Sequence, residues 1–356
     1  MKYYHICNPE NRRAQFVREA LERLQLAPAI EISWKSLLEG EAEFRPGPAD
    51  VIRIESPGEN FDVERLLIER GGGPRGLTYD RGRLYHQVAW YAGLVDVLGE
   101  IKTAFPGARF MNHPDEIAAV FDKYSSQQHL KKASIPVPEI LGRVESFDHL
   151  VHLMESTSSR RIFLKPCHSS SASGVVAIQS ASPTRILATT SANYIPENSR
   201  IYNSLKLRRY RDPLVIRQLV DQLCQENVFA EKWFPKDSIN GKVYDLRVLL
   251  IAGRARHVVV RTSQSPITNL HLGNERGVLE ELKSKLGGEI WEGALKTCEQ
   301  AAAAFPKCHY IAVDLMISSS QKRLAVAEVN AFGDLIPYVI SEGDDTYTAE
   351  FRSFTG

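Results

Sequence analysis

The sequence predicts an open α/β unit followed by a larger α+β unit built on antiparallel strands. Three observations carry this expectation. Short apolar runs alternate with helical spacing over the first 105 residues, the pattern changes near Asn112-His113-Pro114, and two hairpin patterns stand out at 243–262 and 309–330. With 356 residues the chain has room for two or three domains. The expected boundaries are an N-terminal α/β domain at 1–110, a first subdomain with a central linker at 111–230, a C-terminal subdomain at 231–343, and a loosely attached tail at 344–356.

Taken in order, Tyr3 to Cys7 reads as a strand, with Asn8-Pro9 as the cap and first position of a helix carrying Val17, Ala20, Leu21 and Leu24 on one face. Further strands are expected at Ala29–Trp34 and Asp50–Ile54, and a helix at Val63–Glu69 that ends on Gly71-Gly72-Gly73. Leu84 to Ala104 places Val88, Tyr91, Ala92, Val95 and Leu98 on one helical face. A helix from Asp115 to about Lys132 precedes Ser134-Ile135-Pro136-Val137-Pro138, where two prolines force extended backbone. From Arg160 onward strands dominate.

Composition narrows the classes. Lys and Arg number 44 against 43 Asp and Glu, so no global field draws the protein to nucleic acid or anionic membrane. No apolar run is long enough to span a bilayer, and the first residues lack the apolar core of a signal peptide, which favours a cytoplasmic protein. The five cysteines form no CxxC pair, so neither a disulfide framework nor a zinc knuckle is encoded.

The chemistry concentrates in three places. Tyr310–Ile317 and Arg323–Asn330 form one hairpin; a five-residue loop, Ser318–Lys322, sets Asp314 opposite Val326 and puts Glu328, on the diagonal, and Asn330 on the same face. Two carboxylates among apolar neighbours repel unless a cation lies between them, and a hard divalent ion such as Mg²⁺ suits oxygen ligands. The alternative is an ordinary hairpin with a solvated face. Phe163-Leu164-Lys165-Pro166 ends a strand on a lysine beside the small-residue loop 167–175, an arrangement suited to phosphate or to a plain solvated turn. In the third, a loop of Gly253, Arg254 and Ala255 places Arg247 directly opposite Arg261, a pair that invites an anion; a two-residue turn would place them on opposite faces. The polar stretch 265–274 follows.

In chain order, FDKYSSQQHLKKASIPVPE, FLKPCHSSSASGV, AEKWFPK, YDLRVLLIAG with VVVRT, TNLHLGN, and VDLM with AEVNAFGD resemble the motifs of ATP-grasp enzymes, most similar to RimK-type carboxylate–amine ligases. The resemblance covers about Asn112 to Gly333. It implies an ATP-grasp fold, two α+β subdomains gripping ATP, behind a small open α/β domain. It further implies Lys123 and Lys165 on the ATP phosphates, Ser170 and Gly174 in the phosphate loop, and Glu231, Lys232 and Trp233 in the segment that reads the adenine. Asp314, Glu328 and Asn330 would hold Mg²⁺, with Mn²⁺ as the alternative, and Arg247, Arg261 and Asn269 would serve the transfer of a phosphoryl group to a carboxylate. Ser169 and Ala172 stand where the family commonly has glycines, a departure that bears on loop flexibility.

The implied partners are ATP, a small-molecule or peptide carboxylate and an amine, with no membrane and a homodimer as the commonest assembly. His168 and His271 lie near the motifs as candidates for proton transfer. The rival reading is a regulatory or nucleic-acid-associated ATP-binding protein without turnover, for which the basic segment Arg200 to Arg211, interleaved with Tyr202 and Tyr210, is the sequence feature.

Overall fold

The computed structural model describes residues 1–182, 185–333 and 335–355, with His271 described by its backbone alone. The first unit contains β1 (Tyr3–Cys7), α1 (Arg12–Arg23), β2 (Ile30–Ser33), α2 (Trp34–Leu38), β3 (Val51–Ile54), α3 (Phe61–Arg70), α4 (Gln87–Ala104) and β4 (Arg109–Phe110). Its sheet is parallel in the order β2-β1-β3-β4. All five residues of β1 are buried, as a central parallel strand covered on both faces requires. α1 begins at Arg12, not at Pro9: Asn11 caps it by accepting from Arg13 N, while Asn8 donates to Pro57 O and Gly58 O and so belongs to a turn.

α4 buries Leu94, Val97, Leu98 and Ile101 and leaves Val95 exposed, a face turned from the expected one. The cause is close approach to α3: a Cβ on Gly93 would lie 2.0 Å from Leu67 O, so the glycine side of α4 faces its neighbour.

A broken helix leads out of this unit. α5 (Pro114–Phe121) and α6 (Lys123–Lys132) are separated at Asp122, whose ψ of 98° is extended and whose carboxylate accepts from Ser125 N. The expected single helix is therefore two, because an aspartate followed by serines supplies a cap in mid-run.

The second unit comprises β5 (Ile140–Val144), α7 (Phe147–Ser156), β6 (Arg161–Pro166), β7 (Val176–Ser182), β8 (Arg185–Ile195), β9 (Arg200–Tyr210), α8 (Pro213–Cys224) and β10 (Val228–Lys232), its sheet ordered β5-β10-β6-β7-β8-β9. Leu150, Ile162, Leu164, Ile178, Ile216 and Leu219 belong to a core of its own. The third unit holds β11 (Ser238–Ile239), β12 (Lys242–Ile251), β13 (Arg254–Ser263), β14 (Glu275–Arg276), α9 (Leu279–Ala303), β15 (Tyr310–Ile317), β16 (Leu324–Asn330) and α10 (Thr346–Thr355). Its main strand order is β14-β13-β12-β15-β16, with β11 beside β12. One apolar cluster joins this sheet to α5, α6 and the first unit. Two bodies with separate cores thus face each other across the site described below. No helix among the described residues is long and apolar enough to cross a membrane.

The expected loose tail is instead α10. Tyr347, Ala349 and Phe351 are buried, Phe351 packs edge-on to Tyr3, and Glu350 accepts from Arg53 at 2.6 Å. Its apolar residues were too few and too mixed with Thr and Arg to mark a helical face in isolation.

Candidate active site

Both hairpins differ in register from expectation, each through a loop of different length combined with a β-bulge. β12 and β13 join through a two-residue turn, Ala252-Gly253, with both φ angles positive. That turn alone would place Arg247 and Arg261 on opposite faces. An extra residue, Arg256, between the Leu249–His257 and Leu250–Ala255 pairs restores them to one face, with Arg261 opposite Asp245 and Arg247 opposite Val259. In the other hairpin Ile317 pairs with Leu324 rather than Arg323, and Ala327 bulges, so Asp314 lies directly opposite Glu328 instead of Val326. The bulged Ala327 offers its carbonyl to Gln127 of α6 at 2.7 Å.

Arg247, Asp314 and Glu328 consequently form one row across β12, β15 and β16. Arg247 grips Asp314 with two bonds, Nε to Oδ1 at 2.7 Å and Nη2 to Oδ2 at 2.9 Å. Arg261 Nη2 lies 3.0 Å from Asp314 Oδ2, and its Nε donates to Asp245 at 2.7 Å. Burial opposes the charge on Asp314, yet the two guanidinium groups outweigh it and hold the carboxyl well below its usual range. The repulsion inferred from sequence between Asp314 and Glu328 is thus already offset by the protein: Asp314 by two arginines, Glu328 by Lys123 Nζ at 3.1 Å.

The second sheet supplies the facing wall. Lys165 and Glu231 project from adjacent strands and meet at 2.5 Å, Glu231 being 2% exposed. Burial raises the Glu231 carboxyl above its ordinary range, with Lys165 pulling the other way. Lys123 opens α6, its backbone N bonded to Cys167 O, so the helix start and the phosphate-type loop are tied together. In that loop Ser171 and Ala172 adopt left-handed φ of 54° and 57° despite carrying side chains, at a cost of about 1 kcal/mol each. Lack of glycine at 172 has therefore not prevented the turn. His168 is buried with its ring stacked 4.0 Å from Tyr91 and Nε2 3.5 Å from Asp122, behind the loop; the His271 side chain lies outside the described residues.

Between the walls is a cavity of about 340 Å³. Lys123, Lys165, Ser170, Glu231, Arg247, Arg261, Asn269, Asp314, Glu328 and Asn330 all line it. Gly174, Lys232 and Trp233 are not among its lining residues. Gly174 takes φ +73° against Pro166, Lys232 pairs with Glu139, and Trp233 packs on Phe163, which does line the cavity. Sequence reasoning missed Lys236, although it ends the quoted AEKWFPK stretch. Its Nζ donates to Thr268 Oγ1 at 2.7 Å, Thr268 donates to Asp245, and burial pushes the lysine down to about 8 against the pull of Asp245. It also missed Arg13, Ser56, Gly58 and Glu59, which the first unit contributes.

The wall suits a polyanion accompanied by a cation. Buried Ser169 Oγ, Glu231 Oε2 and Asn330 Nδ2 have no hydrogen-bond partner among the described residues, so polar ligand atoms are called for. Six basic lining residues, Arg13, Lys123, Lys165, Lys236, Arg247 and Arg261, stand against five acidic ones, Glu59, Glu231, Asp245, Asp314 and Glu328. A triphosphate entering a nearly neutral cavity needs additional positive charge; Glu328 and Asn330 present side-chain oxygens to the cavity, while both Asp314 oxygens already face Arg247 and Arg261. The basic strand β9 is an edge strand; Tyr202 donates to Asp80 and Tyr210 to Ala192 O, so both rings are fastened by their hydroxyls rather than left free for base stacking.

A family model described as YheC/D-like ATP-grasp matches residues 116–333. The fold is similar to that of the D-cycloserine synthetase DcsG, at 11% identity and TM-score 0.59, covering 99% of this chain and 98% of that one. It is also similar to the ADP complex of purK, N5-carboxyaminoimidazole ribonucleotide synthetase (11%, TM-score 0.58, 93% and 70% covered). A third likeness is to macrocyclase MdnC bound with precursor peptide MdnA from Microcystis aeruginosa MRC (11%, TM-score 0.55, 100% of both chains). No curated protein matches the chain by sequence. At these identities the structural likenesses establish the fold alone.

Proposed function

The chain belongs to the YheC/D-like ATP-grasp family, an ATP-grasp ligase fold, and from that premise we propose that it joins a carboxylate to an amine through an acyl phosphate made with ATP. The observation that carries this reading is the row Arg247–Asp314–Glu328, with Arg261 beside it, lining the same cavity as Lys123 and Lys165. A nucleotide-binding site that only held ATP would have no use for two guanidinium groups fixed by a shared carboxylate.

Carboxylate is a poor acyl donor because oxide is a poor leaving group. Transfer of the γ-phosphoryl to its oxygen forms the O–P bond and releases ADP; an amine then forms the C–N bond as the C–O bond to phosphate breaks. Lys123 and Lys165 would bind the phosphates as point charges, and the unpartnered Ser169 hydroxyl would donate to a phosphate oxygen. Arg247 and Arg261, held rigid by Asp314 and Asp245, would stabilise charge on the transferring group without reorganising. Asn269 would orient the reacting carboxylate. Asp314, Glu328 and Asn330 would hold Mg²⁺, or Mn²⁺, which supplies charge neutralisation of the phosphates. The carboxylate is a small molecule or a peptide, and the setting is cytoplasmic, where ATP is at hand.

The test is ADP release that requires both a carboxylate and an amine, screened over amino acids and acidic peptides. Glu328→Gln is expected to abolish Mg²⁺-dependent turnover while preserving the circular-dichroism spectrum and cooperative melting. Undiminished turnover in that variant would remove the metal-holding role and the reading built on it.

A further inference from the structure

Resting on that ligase reading, we propose that the first unit supplies the acceptor subsite, and that Arg13 and Glu59 select a free α-amino acid as the amine. Arg13 is the second residue of α1 and only 3% exposed, yet it reaches the cavity. Its Nε lies 3.7 Å from Glu55 Oε1, its Nη1 3.3 Å from Glu59 Oε2, and its Nη2 donates to Gly58 O at 3.4 Å. Glu55, 1% exposed, in turn accepts from Gly333 N at 2.8 Å, three residues beyond Asn330. The guanidinium is therefore fixed in position relative to the strand that ends the phosphate wall.

Glu59 is the opposite kind of group. Its side chain is 59% exposed, and its backbone is left-handed at φ +69° although Gly58 stands next to it. That conformation costs about 1 kcal/mol, and an ion pair with so exposed a partner returns at most about the same. Asn11 Nδ2 donates to the same Glu59 oxygen, so the carboxylate is held at the cavity lip beside Arg13, where a strained backbone points to a ligand. A buried cation beside an exposed carboxylate matches a zwitterion. The substrate carboxylate would take Arg13, and the substrate ammonium would take Glu59, separating the two from each other.

The assignment also balances the amide-forming step. The ammonium gives one proton to the Glu59 carboxylate, the freed lone pair forms the C–N bond to the acyl carbon, and the C–O bond breaks with its electron pair leaving on phosphate. The second N–H proton goes to the departing phosphate, and Glu59 returns its own to solvent.

Hydroxylamine separates this proposal from its premise, because it captures acyl phosphates as hydroxamates with neither an ammonium nor a carboxylate to recognise. Wild-type protein is given Mg-ATP, a panel of carboxylates and hydroxylamine. With each carboxylate that yields hydroxamate, the twenty amino acids and their amides then compete as acceptors. An amino acid is expected to exceed its amide in kcat/KM by about tenfold or more, the worth of one charge-assisted hydrogen bond. Arg13→Met should collapse that ratio toward one, and Glu59→Gln should lower the ratio of amino-acid product to hydroxamate by about the same factor, through acceptor kcat as well as KM. Since Arg13 is buried, its variant is read only if its melting temperature stays within the cooperative range; the exposed Glu59 variant carries the test otherwise. Hydroxamate formation with amides accepted as well as acids, or with both product ratios unmoved, overturns the subsite. No hydroxamate from any carboxylate overturns the ligase reading and the subsite with it.

Discussion

Replacing Lys165 with methionine removes the cation from a pair whose acid has almost no contact with water. Glu231 is 2% exposed, its carboxylate meets Lys165 at 2.5 Å, and its other oxygen has no partner among the described residues. Deleting one member of such a pair costs about 3–5 kcal/mol when the survivor stays charged. Glu231 can escape part of that cost by taking a proton, and its carboxyl already lies above the ordinary range because of burial. A raised folded-state pKa means that the native protein binds the proton more tightly than the unfolded chain does. The associated stability is fully present below about pH 4.3 and is lost as pH rises through the folded value, at up to about 1.4 kcal/mol per pH unit. Lys165→Met lifts that value further and extends the window upward. Urea denaturation of both proteins at pH 5 and pH 8 should therefore show the variant's deficit larger at pH 8 than at pH 5. A deficit equal at the two pH values would refute the electrostatic account of this wall.

The remaining expectations follow from the same geometry. Burial pushes the Glu350 carboxyl up to about 7 against the pull of Arg53, so the stability it contributes falls as pH rises from about 4.3 to 7; Glu350→Gln should flatten the melting-temperature profile across that interval. Asp122 is held at about 2, burial being outweighed by its bonds with His168 and Ser125, so its contribution is present above about pH 3.9 and is lost on acidification toward 2. Asp122→Ala should cost about 0.5–2 kcal/mol through the lost α6 cap and remove that acid dependence, as chemical denaturation at pH 7 and pH 3 would show. Gly93→Ala drives a methyl into Leu67 O and should destabilise by about 1–3 kcal/mol or more, read as a lower melting temperature.

The sequence made the chemistry of the large sheet legible but not its registers. Strand identity here is carried by short apolar runs, and 310–317 is such a run, buried at every position, paired with the apolar-rich 324–330. A bulge adds one residue without a distinctive residue type: Arg256 and Ala327 look like any others in their strands. Yet those two insertions decide that Arg247 and Arg261 share a face and that Asp314 meets Glu328. Asn11 displaced Asn8 as a cap for a similar reason, since both have the right side chain and only the loop at 57–58 distinguishes them. Arg13 and Glu59 were invisible because they lie 46 positions apart in a unit whose helices and strands carry no phosphate or metal pattern; their nearness is tertiary.

The salt link between Arg53 and Glu350 spans 297 positions of sequence. The side chain of Arg53 also lies over the rings of Tyr310 and Tyr347, at 4.4 and 5.0 Å, so a guanidinium on a strand synthesised early has only Glu55, at 3.4 Å, as an early partner and takes the rest of its shelter from residues synthesised late. Until those partners emerge from the ribosome the Arg53–Glu55 pair lacks its aromatic cover and its second carboxylate, and contacts of such long separation form slowly. Maturation of the earliest part of this polypeptide thus waits on the last.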